Sequence, residues 1–162
     1  MIDYFAYGSN MDNKEVQKCS VELRNPRVAR LDGYKLRFNY CSSKRKSGAA
    51  NIMVSEGDSV YGLLMELNEK ELKRIRCKEG CKNPDTTGLP NYYDEIRVTV
   101  EKQEDSELVI NVVTYKVTND KERKENVPPK ESYMKLIIDN AEKYGFPSKY
   151  ISFLKSIETI PS

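Results

Sequence analysis

The stretch Tyr4-Phe5-Ala6-Tyr7-Gly8-Ser9-Asn10-Met11 decides how the rest of the chain is read. An aromatic, apolar run suited to a buried strand stops within one position at a glycine followed by two small polar residues. Asn10 or Asp12 can then cap a short helical segment, 12–18, in which Glu15 stands three residues after Asp12 as a capping-box partner would. The loop therefore sits between a strand end and a helix start. Gly8 tolerates a positive φ and a close approach to its backbone, and free N–H groups in such a place attract carboxylates and developing oxyanions. An ordinary strand-to-helix turn is the alternative reading of the same residues.

Composition narrows the chemistry around that loop. A length of 162 residues predicts one domain, 1–162, with a core that needs no staples. The 27 Lys and Arg against 25 Asp and Glu leave a net charge of +2 with the signs interspersed, which argues against a nucleic-acid partner. No apolar run is long enough to span a bilayer, and Met1-Ile2-Asp3-Tyr4 has neither a basic n-region nor an h-region, so a cytoplasmic protein with no membrane partner is expected. Cys19, Cys41, Cys77 and Cys81 offer one C-x3-C and two isolated positions, a poor metal-ligand spacing, and free thiols are expected. The chain has no histidine. Ser-His and Cys-His nucleophilic machinery and imidazole metal sites are thereby excluded, and any proton transfer falls to a carboxylate, tyrosine, lysine or thiol.

Along the chain, 28–31 and 34–40 read as two strands broken at Asp32-Gly33, and 49–54 and 59–67 as two more separated by the turn-like Glu56-Gly57-Asp58. The polar, Lys/Ser-rich stretch 42–48 between them is a loop. Asn68 caps a helix over 69–78 with Glu71 at the capping-box position and Leu72 and Ile75 on one face. After a Gly- and Pro-rich loop, 80–90, the segments 92–101 and 108–117 predict a long antiparallel pair. Val127-Pro128-Pro129 opens a helix over 130–144 with Tyr133, Leu136, Ile137 and Ala141 on one face, and Gly145-Phe146-Pro147 separates it from a last helix over 148–156. Six or seven strands with short connections predict an α+β fold whose mostly antiparallel sheet closes, or nearly closes, to hide its edges.

Glu79 is the unusual acid. It stands at the C-terminal end of a helix beside Gly80, where the dipole disfavours a carboxylate. It is either a solvated residue next to a C-cap or an acid whose pKa is raised into a useful range.

These segments together resemble the gamma-glutamylcyclotransferase family of AIG2-like proteins. Tyr4 to Met11 looks like that family's N-terminal signature, Val28-Ala29-Arg30-Leu31 with Tyr34-Lys35-Leu36 is similar to its second segment, and Gly57 to Leu64 resembles the strand before its catalytic helix. Lys78-Glu79-Gly80 and Tyr92-Tyr93 fall where the family keeps a catalytic glutamate and a following active-site tyrosine. Tyr115 to Asn119, Pro128-Pro129, Tyr133 and Tyr144 to Pro147 continue in family order. The chain departs from the pattern at Arg76, where the family often has aspartate, and in a longer loop over 81–90.

The resemblance implies a small β-barrel flanked by helices and an enzyme that releases 5-oxoproline from gamma-glutamyl amines, with Glu79 as general base and then acid. Gly8, Ser9 and Asn10 would hold the substrate's α-carboxylate or oxyanion through backbone N–H groups, and Tyr7, Tyr93 and Tyr133 would line the pocket and donate hydrogen bonds. Each tyrosine has an alternative as a half-buried aromatic with its hydroxyl in water. No cofactor or metal is implied, and the protein is expected to act on a small molecule as a monomer or homodimer. A non-catalytic ligand-binding module on the same scaffold is the rival, as is the same chemistry on a specialised gamma-glutamylated intermediate. Because this scheme gives a thiol no task, replacing Cys77 and Cys81 together by serine should leave 5-oxoproline release within a few-fold of the parent. A chelator should not change the rate, and loss of activity on chelation would contradict the scheme.

Overall fold

The computed structural model describes residues 1–80 and 92–162. Its centre is a closed five-stranded barrel in the order β1-β3-β2-β4-β5, formed by β1 (Ile2–Ala6), β2 (Arg24–Ser42), β3 (Ser47–Leu67), β4 (Tyr93–Lys102) and β5 (Leu108–Val117). All neighbours pair antiparallel except β1 and β5, whose parallel contact at Tyr4 and Val113 closes the ring. Among the described residues the ring is completed by short contacts, β2 meeting β4 at Ala29 with Lys102 and Arg30 with Glu101, and β1 meeting β5 at Tyr4 with Val113.

Among the described residues, five strands stand where six or seven were expected from sequence. The segments 28–31 and 34–40 are one strand, and so are 49–54 and 59–67. The break signals mark a bulge instead of a turn. Asp32 pairs with Ser59 and Tyr34 with Val54, so that residues 55–58 of β3 face the single Gly33 of β2. Gly33 and Gly57 take φ of 83° and 86° there. The irregularity bends both strands sharply while pairing resumes on either side, as closing so small a barrel requires.

The helices follow their predicted caps closely. In α1 (Asn13–Gln17), Asp12 accepts a hydrogen bond from Glu15 N–H at 3.1 Å and is the cap; Asn10 is not. In α2 (Glu69–Glu79), Asn68 accepts from Glu71 N–H at 2.8 Å and Glu71 accepts from Asn68 N–H at 3.0 Å, the reciprocal capping box. Glu71 is buried and also ion-paired to Arg24 at 2.8 Å, which fixes the start of α2 against β2. In α3 (Glu131–Lys143), Tyr133, Met134, Ile137 and Ala141 are buried while Leu136 lies at the margin, a face rotated slightly from the expected one. The last helix, α4 (Ser148–Lys155), packs beside it. Cys19, Cys41 and Cys77 are free thiols; Cys81 and most of the loop over 80–90 lie outside the described residues. No described helix is long and apolar enough to cross a membrane.

The core joins β1, β2 and β3 to α2 and α3, with Phe5, Phe38, Leu63, Leu64, Ile75 and Ile137 fully buried. β1 packs tightly on β3 at Gly62, where a Cβ would stand 2.3 Å from Ala6 O and 2.7 Å from Phe5 Cζ. Gly62→Ala therefore has to push apart the pair that leads into the Tyr7-to-Asn10 loop. It should lower stability by about 1–3 kcal/mol, read as a lower urea midpoint at unchanged slope; an unchanged midpoint would contradict the packing described.

Candidate active site

The barrel mouth holds a cavity of about 210 Å³ between the β1–α1 loop, the β2–β3 turn, the end of α2 and the start of β4. That is below the roughly 300–1,000 Å³ of sites for drug-sized ligands and suits a small metabolite. Tyr7, Gly8, Ser9, Asn10, Glu79, Tyr93 and Tyr133 all line it, so one site gathers every residue singled out in the sequence.

Glu79 arrives at the mouth as the last residue of α2, which ends because Gly80 takes the left-handed conformation, φ 64° and ψ 36°. A Cβ at residue 80 would stand 2.5 Å from Tyr92 Cδ2, and Tyr92 N–H donates to Gly80 O at 3.0 Å. This contact brings Tyr93, at the start of β4, onto the same wall as Glu79.

Asn10 is buried in a short 3-10 turn, Ser9–Met11, and joins the two halves of the site. Its Nδ2 donates to Glu79 Oε1 at 2.7 Å and to Tyr4 Oη at 2.8 Å, and its Oδ1 accepts from Lys78 Nζ. Only this orientation of the amide presents a donor to the carboxylate and an acceptor to the ammonium. Gly8 has φ −125° and ψ −135°, so the positive φ that its identity allows is not used. A Cβ there would stand 3.2 Å from Ala50 Cβ, and the tight fit against β3 is the reason a glycine suits the position. The N–H groups of Ser9 and Asn10 have no partner among the described residues.

The tyrosines divide by where their protons go. Tyr7 donates to Tyr115 O at 2.5 Å and Tyr93 to Ala50 O at 3.0 Å, so both hydroxyl protons are spent on the backbone. Tyr133 instead accepts from Ala50 N–H at 3.0 Å, which leaves its proton without an acceptor among the described residues. Burial pushes the phenols of Tyr7, Tyr93 and Tyr133 up, so all three stay neutral.

Sequence reasoning did not single out Arg45, Tyr4 or Lys78 as site residues. Arg45 comes from the polar 42–48 stretch, where nothing in composition separates it from its neighbours, and its Nη2 donates to Ser9 Oγ at 3.3 Å. Tyr4 read as one more strand aromatic. Arg76, the departure from the family pattern, turns away from the site and pairs with Glu95 on β4 through two hydrogen bonds of 2.7 and 2.9 Å. Among the described residues no group of three or more Cys, Asp or Glu is placed to hold a metal ion.

Comparisons with known proteins place the chain in a family and match its fold. The model of the AIG2-like family matches residues 59–154. A gamma-glutamylcyclotransferase from Bos taurus is 35% identical over 164 aligned residues, covering 96% of this chain and 78% of its own. The chain belongs to the AIG2-like family. It is an enzyme of the gamma-glutamylcyclotransferase class, as the relatives in Bos taurus and, at 34% identity over the same coverage, Homo sapiens indicate. A solved structure of a gamma-glutamyl cyclotransferase superposes with a TM-score of 0.81 at 31% identity, covering 98% of this chain and 89% of that one. YkqA of Bacillus subtilis does so with a TM-score of 0.77 at 25% identity, covering 98% of this chain and 56% of its own.

In this family member burial raises the Glu79 carboxyl above its ordinary 4.5, against the opposing pull of Lys78 and the Asn10 hydrogen bond. The C-terminal end of the α2 dipole acts in the same direction as burial. A carboxyl raised in the folded state contributes stability that is full below its unfolded value and is lost as pH rises through the folded one. Glu79→Gln cannot ionise, so its stability relative to the parent should increase as pH is raised from about 4 to 8. Thermal melts across that window check this, and parallel profiles for the two proteins would contradict a raised Glu79.

Proposed function

We propose that this enzyme converts gamma-glutamyl amino acids or gamma-glutamyl amines to 5-oxoproline and the free amine, with Glu79 as the proton carrier. The observation that carries the reading is the Glu79 carboxyl itself, half-buried in the cavity wall, held by Asn10 and lining the same cavity as the loop whose Ser9 and Asn10 N–H groups have no partner among the described residues. The substrate brings its own nucleophile, because its α-nitrogen can reach its γ-carbonyl and close a five-membered lactam. The protein has to fold the substrate over, take a proton from the α-ammonium, stabilise the oxyanion and return the proton to the leaving nitrogen.

An α-ammonium has a reference pKa of about 8, within reach of a carboxylate whose own pKa is raised. Glu79 accepts that proton, the freed amine attacks the γ-carbon, and the C=O π bond opens to a tetrahedral oxyanion. Donors at Ser9 N–H, Asn10 N–H and the Tyr133 hydroxyl suit the charge that forms there. Collapse re-forms the carbonyl and breaks the bond to the leaving nitrogen, which takes the proton held by Glu79; the freed carboxylate then passes the ring nitrogen's second proton to the departing amine, which leaves as an ammonium beside a neutral lactam. Tyr7 and Tyr93 act as walls. Among the described residues Ser9 has no base to activate it as a nucleophile, its hydroxyl contacting the Arg45 guanidinium.

Two measurements test the assignment. Glu79→Gln should lower turnover by roughly 10²–10⁴-fold with folding and ligand binding retained, and Glu79→Asp should fall less; parental turnover in Glu79→Gln would overturn the role. A gamma-glutamyl dipeptide should release 5-oxoproline while its N-acetyl derivative and its α-linked isomer release nothing, because the first lacks a free amine and the second would have to close a three-membered ring. Release of the amino acid from the N-acetyl compound would mean hydrolysis instead of cyclisation.

A further inference from the structure

Arg45 is the best-placed cation of the cavity that the proposed reaction leaves unused. It sits in the tight turn between β2 and β3, where Lys46 N–H donates to Ser42 O at 2.6 Å, and Arg45 N–H donates to Ser42 Oγ at 3.2 Å. Ser47 Oγ donates to Arg45 O at 3.2 Å, so the residue's backbone is held on both sides. The guanidinium lies over the Tyr133 ring, 4.4 Å from its centroid, and the side chain keeps 30% of its surface exposed.

A planar cation stacked on a ring and tied to one hydroxyl has lost most of its rotamer freedom before any ligand arrives. Its charge is poorly neutralised. Glu15 Oε2 stands 4.0 Å away, and the other oxygen of Glu15 is taken by Lys18 at 2.7 Å. Beyond Ser9, the guanidinium makes no further hydrogen bond among the described residues. Lys44, Arg45 and Lys78 thus face Glu79 as the single carboxylate of the described cavity lining.

We propose that Arg45, stacked on Tyr133 and tied to Ser9, binds the α-carboxylate of the substrate's glutamyl half and so aims the adjacent α-ammonium at Glu79. This rests on the cyclotransferase reading and deepens it. An α-amino acid head group carries one positive and one negative charge on the same carbon, and the cavity offers Glu79 for the first and Arg45 for the second. The Ser9 contact places Arg45 at the loop suited to an anion, on the half of the substrate that every gamma-glutamyl compound shares. The substrate class is therefore restricted to compounds whose glutamyl α-carboxyl is free. A gamma-linked glutamate whose α-carboxyl is amidated, as inside a peptide chain, is disfavoured whatever amine it would release.

Two matched pairs of compounds and two variants test this. The pairs are gamma-glutamyl-alanine with its glutamyl α-carboxamide, and 5-oxoproline with its carboxamide as competing ligands. Arg45→Gln should raise KM for gamma-glutamyl-alanine and weaken 5-oxoproline binding by about 10–100-fold, the size of one charge-assisted contact, with kcat changed only a few-fold. For the two carboxamides the parent should be poor by a similar factor and the substitution should make no difference. Arg45→Lys should recover part of the loss.

Equal losses for acid and carboxamide, an unchanged KM, or a loss that tracks a carboxylate on the leaving amine would overturn the proposal. If the parent released no lactam from any compound, the cyclotransferase reading would fall. Direct binding of 5-oxoproline and its carboxamide to the parent and to Arg45→Gln would then decide the part played by Arg45 on its own.

Discussion

A half-buried carboxylate at the wrong end of a helix needs support, and the site is organised around the side chain that supplies it. Asn10 touches Glu79, Tyr4 and Lys78 at once, so one amide links the strand β1, the loop after it and the end of α2. The balance matters more than the contact count. A carboxylate bonded to several donors would be held low and be a weak base, whereas Glu79 has Asn10 as its one side-chain hydrogen-bond donor among the described residues, and burial outweighs the attraction of the nearby cations.

That arrangement depends on the barrel. Its closure through β1 and β5 fixes Tyr7 and Tyr115 against one another, and the same ring presents both backbone polar groups of Ala50 to the mouth, its N–H to Tyr133 and its C=O to Tyr93. The walls of the cavity are thus pinned to main chain, and little is left to side-chain preference. Gly80 contributes by ending α2 at the right residue and by letting Tyr92 pack where a Cβ would otherwise stand.

Local signals in the sequence were sufficient for local structure. Asp12, Asn68 and Gly80 are caps whose chemistry acts within one turn, and each is found where the residue type predicts. The strand count was misread for a physical reason: Asp32-Gly33 and Glu56-Gly57-Asp58 have turn composition, but a bulge in a sharply curved barrel asks for the same residues. Glu79 was legible because an acid beside a C-cap glycine violates a dipole preference. Arg45 was not, because its stacking on Tyr133 joins positions far apart in the chain, and nothing in a Lys/Ser-rich stretch distinguishes a preorganised guanidinium from a solvated one. Which tyrosine keeps a free proton was equally hidden, since that is set by the tertiary placement of Ala50.

As the proposed proton carrier, Glu79 has to titrate above an ordinary carboxylate, and that titration has to govern the reaction. A carbon-13 titration of the Glu79 side-chain carboxyl by NMR, assigned by its absence in Glu79→Gln, compares directly with the acid limb of kcat/KM, which reports the free enzyme's essential base. A midpoint above 4.5 that coincides with that limb is expected. A midpoint at or below 4.5, or a limb that lies elsewhere, would contradict it.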